Sequence, residues 1–121
     1  MSLTTNPNPK RGEIWNVSFN PVKGEEIYDV RPAVVVNSDS MASIKLRIVV
    51  PVTGKREKHT DREWCIPISP STTKALMKDS VADALQIRCV SLERFSEYSG
   101  KLDADTLQQI LDAVSIVLEI K

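Results

Sequence analysis

Short stretches of the chain alternate between apolar and polar residues, and this period of two is typical of β-strands with one buried face. Residues 13–19 follow the pattern, and residues 45–52 follow it again. In the second stretch we predict that Leu46 and Ile48 face the core and that Arg47 faces solvent.

Other segments predict further strands of two kinds. Residues 33–36 are all apolar and mostly β-branched, which predicts a strand buried on both faces. Residues 63–68, 80–84 and 85–90 are also strand-like, and in the last of these we predict that Leu85 and Cys89 point inward.

The end of the chain changes to a helical period. Six apolar residues between 107 and 118 fall on one stripe, at i, i+3, i+4, i+7, i+10 and i+11. We predict that Asp105 caps this helix, with Gln108 three residues later. Many short strands with one packed helix predict a mainly β fold with one helix (α+β), built as a small, strongly bent β-barrel.

Length and composition limit the kind of protein. The 121 residues suit one domain, which we place at residues 10–121, after a polar, proline-containing arm at residues 1–9 that we expect to be disordered. No apolar run reaches the roughly 20 residues needed to span a bilayer, so we expect a soluble, cytoplasmic protein with no membrane partner. Cys65 and Cys89 have no Cys or His at metal-ligand spacing, so neither a zinc site nor a redox motif is predicted.

Charge is balanced overall, with 16 basic and 16 acidic residues, but it is uneven along the chain. Residues 1–62 hold 10 basic and 7 acidic side chains, whereas residues 63–121 hold 6 and 9. Because the net charge is zero, a polyanion can only be bound by a local cluster of positive charge. We predict such a cluster as a basic stripe beside Arg31. Its members are Lys45, Arg47, Lys55, Arg56, Lys58 and Arg62.

Arg31 and Thr53 stand at the ends of two predicted strands. If these strands are neighbours, a guanidinium and a hydroxyl meet at one rim. Such a pair suits cleavage of RNA by its own 2′-hydroxyl, because Arg neutralises the phosphorane and Thr donates a hydrogen bond to a non-bridging oxygen. This chemistry requires no metal and no other cofactor.

Two further groups have more than one interpretation. Glu26, in the loop between the first two strands, is either a base or base-reading group or a solvated carboxylate. His59 is the only histidine, which excludes a two-histidine ribonuclease mechanism. We interpret it as a solvated loop residue, with a catalytic or base-stacking role as the alternative.

Five sequence motifs follow one another after residue 10. They are residues 11–15 (RGEIW), 20–26 (NPVKGEE), 30–37 (VRPAVVVN), 50–53 (VPVT), and 79–81 with 86–88 (DSV and QIR). In this order they resemble the MazF/PemK family of toxin endoribonucleases.

The resemblance implies an SH3-like barrel made of a bent antiparallel sheet with a C-terminal helix, and a homodimer. It implies a type II toxin-antitoxin toxin that cleaves single-stranded RNA (mRNA) sequence-specifically without metal, inhibited by a cognate antitoxin whose acidic C-terminal tail fills the RNA groove. Arg31 and Thr53 match the family's catalytic residues, and Glu26 matches a loop acid important in some members. We predict RNA contacts from Lys23, Tyr28, Lys55, Arg56, Lys58, His59, Gln86 and Arg88.

Leu85 departs from the family pattern, because many members have Asp or Glu directly before the residue that is Gln86 here. This departure motivates an alternative function, a non-catalytic barrel module that binds RNA or an acidic peptide without cutting. A third interpretation, a toxin that acts on another nucleic acid, has no support in the residues.

Overall fold

The computed structural model describes residues 7–70, 73 and 76–121, which form a seven-stranded antiparallel sheet and one α-helix. The strands are β1 (Glu13–Ser18), β2 (Val30–Val35), β3 (Leu46–Gly54), β4 (Cys65–Ile68), β5 (Ser80–Asp83), β6 (Arg88–Ser91) and β7 (Phe95–Lys101). The helix α1 (Ala104–Leu118) follows β7. Among the described residues, no helix is long and apolar enough to cross a membrane.

β3 is the long strand around which the sheet is organised. β2 pairs with it at residues 49–51, β6 pairs with it at 46–49, and β5 pairs with it at 52–54. The strand order β4-β5-β3-β2-β1-β7 leaves two separate ends, so the sheet is bent without closing. The predicted class, a mainly β fold with a strongly bent antiparallel sheet and a C-terminal helix, is confirmed.

Both faces of the bent sheet are buried. On one face Val34 and Val36 join a cluster that includes Ile110 of α1. On the other face Ala33 and Val35 join a second cluster. The apolar run at residues 33–36 is explained by this arrangement, because successive strand residues point to opposite faces and both faces exclude water.

The first half of β3 has the opposite orientation to the predicted one. Arg47 is only 1% exposed, whereas Leu46 and Ile48 are 48% and 38% exposed. All five N–H groups of Arg47 donate hydrogen bonds, including one from Nε to the carbonyl of Pro9 at 3.0 Å and one from Nη1 to that of Ile44 at 2.6 Å. Local alternation does not reveal such a site, since the partners come from other segments. The predicted basic stripe therefore loses Arg47.

The packed structure also begins earlier than predicted. Pro9 is buried, and Oδ1 of Asn8 accepts a hydrogen bond from Arg47 at 3.2 Å. The prediction of a disordered arm is therefore wrong at residues 8 and 9. Residues 1–6 of that arm lie outside the described residues.

Two boundaries differ for local reasons. The N-cap of α1 is Asp103, whose carboxylate accepts hydrogen bonds from the N–H and the hydroxyl of Thr106, so Asp105 lies inside the first turn. A short 3-10 turn at Ala84–Gln86 lies where the predicted strand-like pieces 80–84 and 85–90 meet, and it takes the place of the start of the second piece. Leu85 is consequently 59% exposed and Cys89 is also exposed, contrary to prediction.

Candidate nucleic-acid interface

A cleft of about 370 Å³ opens where β3 separates from β2. The β2–β3 ladder ends at Ala33 and Pro51, beyond which β2 stays paired with β1 and β3 pairs with β5. Continuing the register by two residues puts Arg31 opposite Thr53, and both residues line the cleft. The two strands are neighbours, as the sequence-based prediction required, and they carry the guanidinium and the hydroxyl to the same rim.

Tyr28 holds Arg31 in place. Nε of Arg31 donates a hydrogen bond to the carbonyl of Tyr28 at 3.1 Å, and the guanidinium carbon lies 5.6 Å from the centroid of the Tyr28 ring. The terminal nitrogens of Arg31 have no hydrogen-bond partner within the described part of the chain. They present a planar fork of the kind that binds phosphate oxygens.

The β1–β2 loop, which carries Tyr28, is held by hydrogen bonds from the side chains of Gln86 and Arg88. Gln86 accepts a hydrogen bond from the N–H of Ile27 at 2.9 Å and donates one to the carbonyl of Glu25 at 3.0 Å. Nη2 of Arg88 donates to the carbonyl of Ile27 at 3.4 Å, and its guanidinium carbon lies 4.7 Å from the ring centroid of Phe19. Both side chains therefore position the loop.

Gln86 and Arg88 differ in their access to a ligand. Gln86 lines the cleft, whereas Arg88 is not among its lining residues. The position of Arg88 under the loop does not fit the predicted RNA contact.

Glu26 and Lys23 form the turn at the tip of the same loop. Oε1 of Glu26 accepts a hydrogen bond from the N–H of Lys23 at 2.6 Å, and Gly24 between them has the left-handed φ of +57° that favours glycine. Glu26 lines the cleft and is exposed, while Lys23 does not line it. The carboxylate of Glu26 therefore orders the turn in addition to any role toward a ligand.

Three cations of the predicted basic stripe lie in the cleft with Arg31. They are Arg56, Lys58 and Arg62. Lys55 lines an adjoining pocket, and Lys45 lines neither opening. A cationic groove with aromatic side chains in it suits a single-stranded nucleic acid, because cations follow the backbone while rings stack on bases.

His59 is not the solvated loop residue that we predicted. It is 5% exposed, lines the cleft, and its Nδ1 accepts a hydrogen bond from the N–H of Arg56 at 2.9 Å. Burial lowers the pKa of His59, the charges of Lys58 and Arg62 lower it further, and Asp83 acts in the opposite direction. His59 is therefore neutral at pH 7 with its proton on Nε2, which makes it a hydrogen-bond donor rather than a cation.

Asp83 and Trp64 also line the cleft, and neither was predicted from the sequence. Asp83 is 5% exposed, and its Oδ1 accepts a hydrogen bond from the N–H of Leu85 at 3.1 Å. The indole Nε1 of Trp64 is buried. Among the described residues, it is the one buried side-chain nitrogen or oxygen without a hydrogen-bond partner. The sequence contains one signal for Asp83, which is the single charged residue in the otherwise apolar run 81–85.

A smaller pocket of about 160 Å³ adjoins the cleft. Arg31, Thr53 and Arg56 line both openings, and Lys78 lines only the smaller one. A Cβ placed on Gly54 would lie 3.1 Å from Nζ of Lys78, so this ammonium lies across Gly54, beside Thr53. Arg31 and Thr53 therefore stand where the two openings meet.

Among residues 7–70, 73 and 76–121, the other titratable groups give no sign of a further reactive centre. Within the described residues, no set of three or more His, Cys, Asp or Glu side chains is arranged to hold a metal ion. Burial raises the pKa of the Cys65 thiol to about 11, and the charge of Asp83 acts in the same direction, so this thiol is not a nucleophile at neutral pH.

Comparison with known proteins identifies the family. Residues 10–118 match the family described as the PemK-like, MazF-like toxin of type II toxin-antitoxin systems. The Mycobacterium tuberculosis (strain H37Rv) protein Endoribonuclease MazF9 is 34% identical over 117 residues, which cover 92% of this chain and 97% of that protein. The chain belongs to the PemK/MazF toxin family.

Solved structures share the fold at lower identity. MazF from Deinococcus radiodurans (Form-I) has a TM-score of 0.80 and 20% identity, with 94% of this chain and 99% of that chain covered. An endoribonuclease from a mycobacterial species, solved in complex with its cognate antitoxin, has a TM-score of 0.75 and 18% identity, with 93% and 97% covered. At these identities the likeness concerns the fold alone.

Proposed function

We propose that this PemK/MazF-family toxin is an endoribonuclease that cleaves single-stranded RNA, with mRNA as its cellular substrate, in a sequence-specific and metal-independent reaction. The observation that carries the proposal is the pairing of Arg31 and Thr53 at the rim where the two openings meet. The 34% identity to Endoribonuclease MazF9 supports it. Such an enzyme works in the cytoplasm, where mRNA is found.

The chemistry is an internal transfer at one phosphodiester. The 2′-oxygen attacks phosphorus and loses its proton, the bond from phosphorus to O5′ breaks, and O5′ takes up a proton. The products are a 2′,3′-cyclic phosphate and a 5′-hydroxyl. Arg31 stabilises the negative charge that develops on the non-bridging oxygens, and Thr53 donates a hydrogen bond to one of them.

Single-strand preference follows from the shape and charge of the cleft. The cations of the cleft suit the RNA backbone, and Tyr28, which is 57% exposed at the lip, offers a ring on which a base can stack. A duplex keeps its bases stacked in the helix, so this kind of contact favours unpaired RNA.

The toxin is inhibited by a cognate antitoxin whose acidic C-terminal tail occupies the same cleft. An acidic peptide competes with RNA for Arg31, Arg56, Lys58 and Arg62. The antitoxin complex of the mycobacterial endoribonuclease, which shares the fold, supports this assignment.

The active form is a homodimer. Two apolar surfaces support this proposal, one at the exposed side of β3 with Leu46 and Ile48, and one at the end of α1 with Ile116 and Leu118. Light scattering on the Ile48→Glu and Leu118→Glu variants tests each surface. A wild-type protein that is monomeric at micromolar concentration would contradict the dimer.

The enzymatic proposal is tested with a long single-stranded RNA in EDTA and mapping of the cleaved ends. Arg31→Ala is expected to lower the rate by about 100-fold or more, and Thr53→Val, which keeps the shape without the hydroxyl, is expected to lower it as well. Lys45→Ala is the matched control, because this exposed cation lies outside both openings. Cleavage that is unchanged in Arg31→Ala would refute the proposal.

The alternative, a binding module without activity, is favoured by one observation, the absence of a carboxylate at Leu85. RNA that binds tightly to the wild-type protein and is recovered intact would support this alternative.

A further inference from the structure

Asp83 brings a carboxylate into a cleft whose fixed cations are suited to phosphate. It is 5% exposed, and of its two oxygens Oδ1 accepts the hydrogen bond from the N–H of Leu85 at 3.1 Å. Oδ2 has no hydrogen-bond partner in the part of the chain that the structure describes. Because Asp83 lines the cleft, Oδ2 is available to a donor group of a ligand that binds there.

The charge of Asp83 decides which part of an RNA can approach it. Like charges in a partly buried site repel strongly, so a phosphate avoids this carboxylate and binds to Arg31 or to the other cations. The bases are the part of RNA that carries hydrogen-bond donors without negative charge. The free oxygen of Asp83 is therefore suited to a base rather than to a phosphate.

The strand register separates Asp83 from the reacting phosphate. Thr53 stands opposite Val81 in the β3–β5 ladder, and Asp83 lies two residues further along β5, a distance of about 7 Å along the strand. Asp83 is thus on the floor of the same cleft but away from the hydroxyl of Thr53. This separation favours a role in reading the substrate over a role in the bond-breaking step.

We propose that Asp83 is a specificity-determining residue that accepts a hydrogen bond from the exocyclic amino group of one RNA base, so that the cleft rejects uracil at that position. Adenine, cytosine and guanine each have such an amino group, whereas uracil has none: its one ring donor, N3–H, lies between two carbonyl oxygens that the carboxylate repels. This inference rests on the proposed function, since it concerns the substrate of the same cleft.

Neighbouring residues complete a base site around Asp83. The N–H of Ala84 donates to the carbonyl of Trp64 at 3.0 Å, which sets these two segments side by side, and Trp64 lines the cleft. His59 also lines it, and its Nε2–H donor suits the acceptor that lies beside the amino group on adenine or cytosine. An aromatic surface, an acceptor and a donor together recognise one edge of a base.

The site differs from the arrangement that the family resemblance implies. The position before Gln86, which carries an acid in many members, is Leu85, and the carboxylate enters the cleft two residues earlier at Asp83. The shift changes where the negative charge lies in the cleft.

The test uses Asp83→Asn, which preserves the shape of the side chain. Oδ1 of asparagine can still accept from the N–H of Leu85, so its amide NH₂ replaces Oδ2 and presents a donor to the cleft. Wild-type cleavage is measured on RNAs that carry uracil at one position at a time around the mapped cut. We expect one position at which uracil lowers the wild-type rate by about 5-fold or more.

At that position Asp83→Asn should reverse the preference toward uracil. An analogue of the preferred base without its amino group, such as purine riboside for adenosine, should slow the wild type but should not slow the variant further. Glu57→Gln is the control, since this exposed acid lies outside both openings. If Asp83→Asn does not fold, Asp83→Ser keeps a capping oxygen and should abolish the discrimination at that position without reversing it.

The outcomes separate this inference from the proposed function. A wild-type protein that cuts no RNA refutes the function. A wild type that cuts, together with an Asp83→Asn variant that is slowed equally on every RNA or that keeps the wild-type base preference, refutes the role of Asp83 alone.

Discussion

Tyr28 contacts Arg31 through both its backbone and its ring. Its carbonyl accepts the Nε–H of Arg31 at 3.1 Å, and its ring centroid lies 5.6 Å from the guanidinium carbon. The guanidinium at the centre of the proposed site is therefore oriented by the β1–β2 loop. Any change that loosens this loop also loosens the guanidinium of Arg31.

Replacing Tyr28 separates the ring from the backbone contact. Tyr28→Ala keeps the carbonyl but removes the ring, and a cation–π contact at an exposed site contributes roughly 0.5–1 kcal/mol while base stacking contributes about 1–3 kcal/mol. We expect RNA cleavage to fall about 10-fold in Tyr28→Ala and to stay within about 2-fold in Tyr28→Phe, which keeps the ring. Equal rates for the Ala and Phe variants would mean that the ring contributes nothing.

Replacing Gln86 tests whether its hydrogen bonds to the β1–β2 loop contribute to RNA cleavage. Gln86→Ala removes the hydrogen bonds to Ile27 and Glu25, each of which stabilises the loop by about 1 kcal/mol. We expect faster amide hydrogen exchange at Ile27 and cleavage reduced by about 10-fold. Gln109→Ala, on the exposed face of α1, is the control and should change neither. Slower cleavage without faster exchange would indicate that Gln86 acts on RNA directly.

Replacing Arg47, which lies away from the cleft, tests how much its buried guanidinium contributes to the free energy of unfolding. Arg47→Met fills a similar volume but leaves the carbonyls of Pro9, Ala42 and Ile44 without their buried donor. We expect the free energy of unfolding to fall by about 2–4 kcal/mol in urea denaturation. The folded variant should cleave RNA normally at low temperature. Lys45→Met, at an exposed neighbour, should change the free energy by less than about 0.5 kcal/mol.

His59 makes stability depend on pH. Because burial lowers its pKa below the ordinary value of 6.5, the unfolded chain takes up a proton at this residue before the folded chain does. Its contribution to stability is therefore constant above the unfolded pKa and decreases as the pH falls toward the folded pKa. Urea denaturation of the wild type and of His59→Asn, which keeps an acceptor for Arg56 but does not titrate, should show a stability difference that shrinks from pH 7 to pH 5. A constant difference would contradict this account.

Local periodicity was enough to identify most of the elements. Strands alternate every two residues and an amphipathic helix repeats every 3.6, so β1, β2 and α1 could be located from their own residues. Arg31 and Thr53 could be paired before the structure, because each lies next to a strong strand signal and the family motifs contain both. Strand β7 was missed, since its sequence FSEYSGK has no clear alternation.

The tertiary structure alone decided which polar groups are buried and what they face. The sequence around Arg47 is that of an exposed strand, yet residues 8, 9, 42 and 44 enclose its guanidinium. His59 lies in a charged loop and Asp83 in an apolar run, and the fold brings both into one cleft. The physical reason is that strand and helix periods are set by neighbours along the chain. Burial, charge pairing and the lining of a cleft are set by residues that are distant in the sequence.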